Sequence, residues 1–515
     1  MRMSVWIAIA AAALWLNPVP VHAADAAPLV TLTQGRLAGV GSNGVERFLD
    51  IPFAEAPVGN LRWRAPRPPR GWAGIRDASK LGPACPQPVR PAIVAGGIAD
   101  HQSEDCLQLN VWRPAGARKL PVMLWLHGGA NVIGSGTFPA FDGTALARQG
   151  VVVVTINYRL GALGYFAHPA VIAAAPRGEA VANYGLMDQL AALRWVQRNI
   201  AAFGGDPHQV TLFGESAGAI GVTTILAQPQ AKGLFARAIV QSGIALFEPR
   251  PLARQAALDV DLATRAGAAA GGSMADLRRI PVAALVAAGK GGPAGAMTGP
   301  ILDGMLVREA PWMTLARREV VDVPLLVGAN GNEASVILAM GVPAASALGY
   351  IGRDQAAGRM AYGTGIADDE LARQVLGDAW FVAPARWLAA RTAGGASSYL
   401  YHFDYVATAR RSTAKGAAHG SEIPYLFGTL DYFSSLAGPV SAEDQRFAGQ
   451  VSACWIAFAR TGTPRCALAP EWPRYSEAAD QLALLTPDAR IVSGFRRAQL
   501  DLILGAFFGN RATRP

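Results

Sequence analysis

Hydrophobic positions along the chain fall into short unbroken runs separated by longer stretches with helical spacing. Residues 122–126, 151–156, 210–213, 324–327 and 398–403 are apolar, aromatic or β-branched nearly throughout. That is the pattern of strands covered on both faces. Ahead of the third run, Leu186, Leu190, Leu193, Ile200 and Phe203 share one side of a helical wheel. Strand-like runs alternating with helical stretches predict an α/β fold, a mostly parallel central sheet with helices on both faces. In such sheets, sites gather beyond the carboxyl ends of strands, so chemistry is sought there first. No repeat of fixed period interrupts the pattern. The stretch 267–300 is rich in Ala and Gly with short helical patterns, and reads as a mobile or variable insertion.

The amino-terminal run has a different character. Arg2 is followed by an apolar segment over 5–16 and then by Val21-His22-Ala23, small residues at a cleavage position. This predicts a cleavable signal over residues 1–23 and a periplasmic or secreted domain over 24–515. The alternative is an uncleaved anchor or a buried helix, although the run is too short for a bilayer, which takes roughly 20 apolar residues. A chain that is 51% hydrophobic and 16% charged can bury a large core. Its net charge of +9 is scattered rather than clustered, which gives nucleic-acid binding little support. Four cysteines, Cys85, Cys106, Cys454 and Cys466, permit two disulfides in an exported protein. There is no C-x-x-C or H-E-x-x-H pattern to suggest a metal site.

One motif carries chemistry. Gly214-Glu215-Ser216-Ala217-Gly218 follows the strand ending at Phe213 and precedes a helical stretch. G-x-S-x-G between strand and helix forces a serine into a strained turn, with small neighbours leaving room for it. Upstream, His127-Gly128-Gly129-Ala130 follows the strand 122–126 directly, where backbone N–H groups can approach a developing oxyanion. Read alone it is equally an ordinary Gly-Gly turn. Ser216 is the candidate nucleophile, and the N–H of Ala217, the residue after it, should join those loop amides as an oxyanion donor. A base is then sought downstream. His419 lies in a loop beyond the strand 398–403, although on position alone a solvated loop histidine fits as well. Glu333, just past the strand 324–327, is the candidate acid, although position alone favours an exposed loop glutamate.

Together these residues resemble the type-B carboxylesterases, relatives of the cholinesterases. The likeness runs through Phe48-Leu49-Asp50-Ile51-Pro52-Phe53-Ala54, Ser103-Glu104-Asp105-Cys106-Leu107 and Asn157-Tyr158-Arg159-Leu160-Gly161. It continues in Asn183-Tyr184-Gly185-Leu186, Gln241-Ser242-Gly243 and Trp472-Pro473. The resemblance implies the α/β-hydrolase fold, a Ser216–Glu333–His419 triad, oxyanion-hole positions at Gly129, Ala130 and Ala217, and a Cys85–Cys106 disulfide. It also implies structural ion pairs of Arg62 with Glu104 and Arg159 with Asp188. Asp50, Asn131, Ile244 and Ala334 depart from the usual residues, and Asn131 stands where an aromatic commonly follows the oxyanion loop.

The expected activity is hydrolysis of small-molecule carboxylic esters through an acyl-enzyme, with no cofactor implied and the oligomeric state left open. A polyester or amide hydrolase with the same triad is the alternative, and a non-catalytic binding protein on the same fold is a more distant one. In the resembling cholinesterases a key aromatic sits in the loop closed by the first disulfide. Here the stretch 86–105 has no Phe, Tyr or Trp and carries Arg90. The attraction of a quaternary ammonium to an aromatic face, up to about 2 kcal/mol when desolvated, is therefore not expected from this loop. A choline ester and its uncharged 3,3-dimethylbutyl isostere should then show similar kcat/KM, and a clear preference for the charged ester would refute this reading.

Overall fold

The computed structural model describes residues 27–512, apart from 90–95, 270, 290–297, 353–354 and 393. The expected signal segment and Arg90 lie outside the described residues. Among the described residues, eleven strands form one sheet. In chain order they are β1 (Val40–Ser42), β2 (Val45–Pro52), β3 (Gln108–Pro114), β4 (Leu120–Leu126), β5 (Val152–Ile156) and β6 (Gly205–Glu215). They continue with β7 (Arg237–Gln241), β8 (Leu325–Asn330), β9 (Ser398–Phe403), β10 (Gln481–Leu485) and β11 (Arg490–Ser493). Their spatial order is β1-β2-β3-β5-β4-β6-β7-β8-β9-β10-β11. Pairing is parallel from β5 through β10 and antiparallel at both margins.

The alternation of side chains along each strand divides the core. On β4, Val122, Leu124 and Leu126 join one apolar cluster while Met123 and Trp125 join the other. On β5, Val152, Val154 and Ile156 go one way and Val153 the other. Both faces are therefore dry, which explains why these strands read as unbroken apolar runs. Helix α1 (Tyr184–Asn199) closes the first face with Leu186, Leu190 and Leu193, and a following 3₁₀ turn adds Ile200 and Phe203. Burying a side chain of this size stabilises the fold by about 1.5–3 kcal/mol relative to exposure. The turn stops at Gly204, whose φ of 75° and close approach to the Ala117 carbonyl leave no space for a side chain. On the same face lies α2 (Ala217–Leu226). Helix α3 (Asp368–Gly377) runs through a π-helical turn, Asp378–Val382, into α4 (Ala383–Thr392). Helix α5 (Ala442–Thr461) covers the second face with Trp455 and Phe458.

The strands at 122–126 and 398–403 occupy the predicted positions. Strand β6 begins earlier than predicted, with the polar residues before Val210. Strand β8 runs past Val327 through Gly328-Ala329-Asn330, because β9 pairs with it along its whole length. Within 267–300, Met274–Arg279 and Val282–Gly289 are helices, the first capped by reciprocal Ser273–Asp276 hydrogen bonds. The expected ion pairs form. Arg62 binds Glu104 through two hydrogen bonds of 2.7 and 2.6 Å, and Arg159 binds Asp188 with 2.8 and 2.7 Å.

Cys85 and Cys106 are joined, as are Cys454 and Cys466. The second pairing, which the cysteine count permitted and left open, also forms. Cys454 is helical and buried, but α5 ends at Gly462 in a left-handed turn and the chain reverses to bring Cys466 to it. Two residues past Cys85, Gln87 Nε2 donates to the carbonyls of Cys85 and Gly134, and Gln87 Oε1 accepts from Gly134 N–H. Peptide mapping without reduction should recover both cystine peptides, and Cys85→Ser with Cys106→Ser should lower stability by about 3 kcal/mol in the chain-entropy picture. A free thiol at Cys85 in protein recovered from an oxidising compartment would contradict the first pairing.

Candidate active site

The site is built at the carboxyl ends of β4, β6, β7 and β8. Strand β6 ends at Glu215 and α2 starts at Ala217, which leaves Ser216 alone at the corner with φ 54° and ψ −121°. A non-glycine residue adopts that conformation only where its surroundings impose it. They do so here through packing. A Cβ on Gly218 would lie 2.0 Å from the Leu126 carbonyl oxygen, and one on Gly214 would meet Gly218 itself at 2.8 Å. The two glycines let α2 close down on β4 and β6, and the serine is what remains at the apex. Its N–H donates to the Gln241 carbonyl of β7 at 3.0 Å.

The segment after β4 passes directly over this corner, since a Cβ on Gly128 would come within 3.2 Å of the Ser216 Cβ. Gly129, Ala130 and Asn131 follow with φ of 105°, 56° and 57°. His127 at its root is buried, stacks on Tyr158 with ring centroids 4.3 Å apart, and has Nδ1 2.8 Å from the Gly128 carbonyl. Burial depresses its pKa to about 4, so it stays neutral and serves as packing for the loop. The Tyr158 hydroxyl donates to the His127 carbonyl at 2.7 Å.

His419 and Glu333 meet. His419 Nδ1 lies 2.5 Å from Glu333 Oε2. Glu333 is 1% exposed, and its other oxygen accepts from the Ser242 hydroxyl and the Asn330 N–H, both at 2.6 Å. The His419 N–H is held by Ser335 Oγ at 3.0 Å, and the ring packs against Phe381 of the π-helical turn at 4.8 Å. Nε2 faces Glu215 Oε1 at 3.0 Å as a contact of charge, and among the described residues it has no aligned hydrogen-bond partner. Burial opposes charge on the imidazole. The carboxylates of Glu215 and Glu333 on either side outweigh it and hold the pKa well above the ordinary histidine value. Among the described histidines, His101 and His208 are exposed, His168 caps a helix, and His402 is buried and kept neutral.

Sequence reasoning assigned no role to the residues that hold this pair. Glu422 is fully buried, accepts from Gln241 Nε2 at 3.0 Å and Asn330 Nδ2 at 2.6 Å, and has its pKa pushed up to about 7 by burial and by Glu215. Gln241 in turn accepts from Trp455 Nε1. Gln241 and Ser242 were visible only as a matching motif. The variable position of G-x-S-x-G, here Glu215, gave no signal of its own.

A parallel sheet with a serine at a strand–helix corner, and a buried histidine–carboxylate pair beside it, defines an α/β-hydrolase. Comparison with known proteins narrows the class. The profile of the carboxylesterase family matches residues 26–360 and 366–503. Fumonisin B1 esterase of Sphingopyxis macrogoltabida is 38% identical over 93% of this chain and 90% of its own length. Para-nitrobenzyl esterase of Bacillus subtilis is 34% identical over 90% and 96%. A solved para-nitrobenzyl esterase superposes with a TM-score of 0.82 at 32% identity, covering 92% of this chain and 99% of that one. The chain belongs to the carboxylesterase family and is a carboxylic ester hydrolase.

With His419 as the expected base, which works only when deprotonated, activity should fall as pH drops through its raised pKa. Glu215→Gln removes one of the two anions that raise it, and should move the acidic limb of the kcat/KM profile to lower pH. A limb that stays in place in that variant would show that Glu215 does not set the charge on His419.

Proposed function

We propose that the protein is an exported serine carboxylesterase that works through an acyl-enzyme. The observation that carries this reading is the 2.5 Å contact of His419 with a buried Glu333, beside a serine at the tip of a strained corner. Ser216 Oγ attacks the ester carbonyl while His419 Nε2 takes its proton. Glu333 fixes the imidazole tautomer and stabilises the imidazolium. The N–H groups of Gly129, Ala130 and Ala217 receive the oxyanion. His419 then returns the proton to the leaving alcohol, and water repeats the sequence to release the acid. His419 Nε2, in charge contact with Glu215 but without an aligned hydrogen bond among the described residues, is the nitrogen left for the base role, because catalytic hydrogen bonds often tighten only once substrate is bound.

Two disulfides support export, together with the signal pattern over 1–23. No described helix is long and apolar enough to cross a membrane. The relatives named above act on a fumonisin ester and on para-nitrobenzyl esters, which supports a small-molecule ester as substrate.

Ser216→Ala should reduce hydrolysis of a p-nitrophenyl ester by at least about 10⁴-fold with the fold intact, and His419→Ala should fall comparably. The parent enzyme should release a burst of nitrophenol equal to the enzyme concentration, and Ser216→Ala none. Near-parent turnover by Ser216→Ala would overturn the nucleophile assignment. A screen over acyl length, with amide and polyester substrates included, separates a general esterase from a specialised hydrolase.

A further inference from the structure

Asn131 is the first residue after the proposed oxyanion donors of the loop, and the structure gives it three ties to other segments. It is 2% exposed and sits in the left-handed region, which asparagine tolerates better than most residues. Its Nδ2 donates to the Thr298 carbonyl at 2.9 Å, and its Oδ1 receives a longer contact of 3.4 Å from the Tyr165 hydroxyl. Its own carbonyl accepts from Gly161 N–H at 2.8 Å. An aromatic at this position would supply only the last of these.

The partner segment is itself fixed. Asn183, just ahead of α1, exchanges hydrogen bonds of 2.8 Å with both the N–H and the carbonyl of Ile301, and its Nδ2 also reaches Asp303 at 3.0 Å. Ile301–Leu302 pairs with Arg250–Pro251. Gly299 lies between Phe247 and the Asn131 amide, with room for a Cβ only at 3.3 Å from the one and 3.6 Å from the other. The chain is thus tied down at 301–303, and the Asn131 carboxamide joins the oxyanion loop to Thr298 just ahead of that anchor.

An oxyanion hole depends on this kind of attachment. Its donors act by being fixed where charge develops, before it develops, and a small misplacement of a donor forfeits much of the effect. We propose that Asn131 is a positioning residue for the oxyanion hole, its carboxamide locking the Gly129–Ala130 turn against the Thr298 carbonyl so that the loop amides stay aimed above Ser216. This rests on the nucleophile and oxyanion assignments made above.

The test compares the parent with Asn131→Ala and Asn131→Asp. The aspartate keeps the size and the tolerance for positive φ, but places an acceptor against the Thr298 carbonyl. It carries the test if the alanine variant does not fold. Each variant is assayed for kcat and KM on a p-nitrophenyl ester, for Ki of an aryl trifluoromethyl ketone, which forms an oxyanion on the serine, and for Ki of the product acid, which does not. Thermal unfolding is followed in parallel. The expected result is a fall in kcat of about 10- to 100-fold, below the cost of deleting a donor outright. The ketone Ki should rise by the same factor as kcat/KM falls, while KM, the product Ki and the melting temperature stay near the parent values. Unchanged ketone inhibition, or equal weakening of ketone and product, would overturn the proposal. A ketone that fails to inhibit the parent would instead remove the nucleophile assignment, and this proposal with it.

Discussion

A carboxylate with almost no access to water must have its charge answered by neighbours, and most of the site is organised around meeting that demand for Glu333. Its two oxygens are satisfied by His419, Ser242 and Asn330, three groups from three separate segments. Each constrains the sheet. The Asn330 amide is available only because β8 runs to its full length beside β9. Ser242 is in reach because β7 ends beside Gly328, whose carbonyl takes the Ser242 N–H. The histidine loop is held at the same place, where Asn332 N–H bonds the Ala417 carbonyl. Loss of one partner would leave a charge buried and underpaired, which is among the more destabilising changes available to a protein.

The same neighbourhood contains two more glutamates, and their environments separate them. Glu422 meets neutral amides only, and burial raises its pKa to about 7. Glu215 faces the imidazole edge opposite Glu333. The negative field around His419 is therefore supplied mainly by two carboxylates, while the third is tied into side chains from β7 and β8. An arrangement of this kind favours imidazolium over imidazole, the direction in which charge moves when a serine hydroxyl gives up its proton.

Much of this was legible beforehand, for identifiable reasons. Ser216 was visible because a strained corner needs Gly214 and Gly218 at fixed offsets, and those glycines are local in sequence. Buried parallel strands were visible because both of their faces are apolar. Glu333 and His419 were weak candidates by position and became firm ones through resemblance, since 86 residues separate partners that meet only in the folded sheet. Ser335 and Phe381 act through contacts across segments, and nothing in their local sequence marks them. The full extent of β8 was missed because Gly328 and Asn330 weaken a strand pattern, although the first packs on the ring of Tyr401 and the second serves the acid. The Cys454–Cys466 pairing stayed open because a helical, buried cysteine resembles a core residue until the chain reversal after Gly462 is known.

The clamp formed by Gln87 has a consequence for how the site is held. Gln87 sits two residues from Cys85 and grips Gly134 on both its N–H and its carbonyl, at the far end of the loop that begins at His127. A Cβ on Gly134 would strike the His127 ring at 2.3 Å, so the two ends of that loop are in contact. The crosslink to Cys106 thus restrains the segment that carries the clamp. Through Gln87, the Cys85–Cys106 crosslink and the loop over Ser216 share one continuous set of contacts. The bond that adds stability to the chain therefore also braces the loop that passes over Ser216.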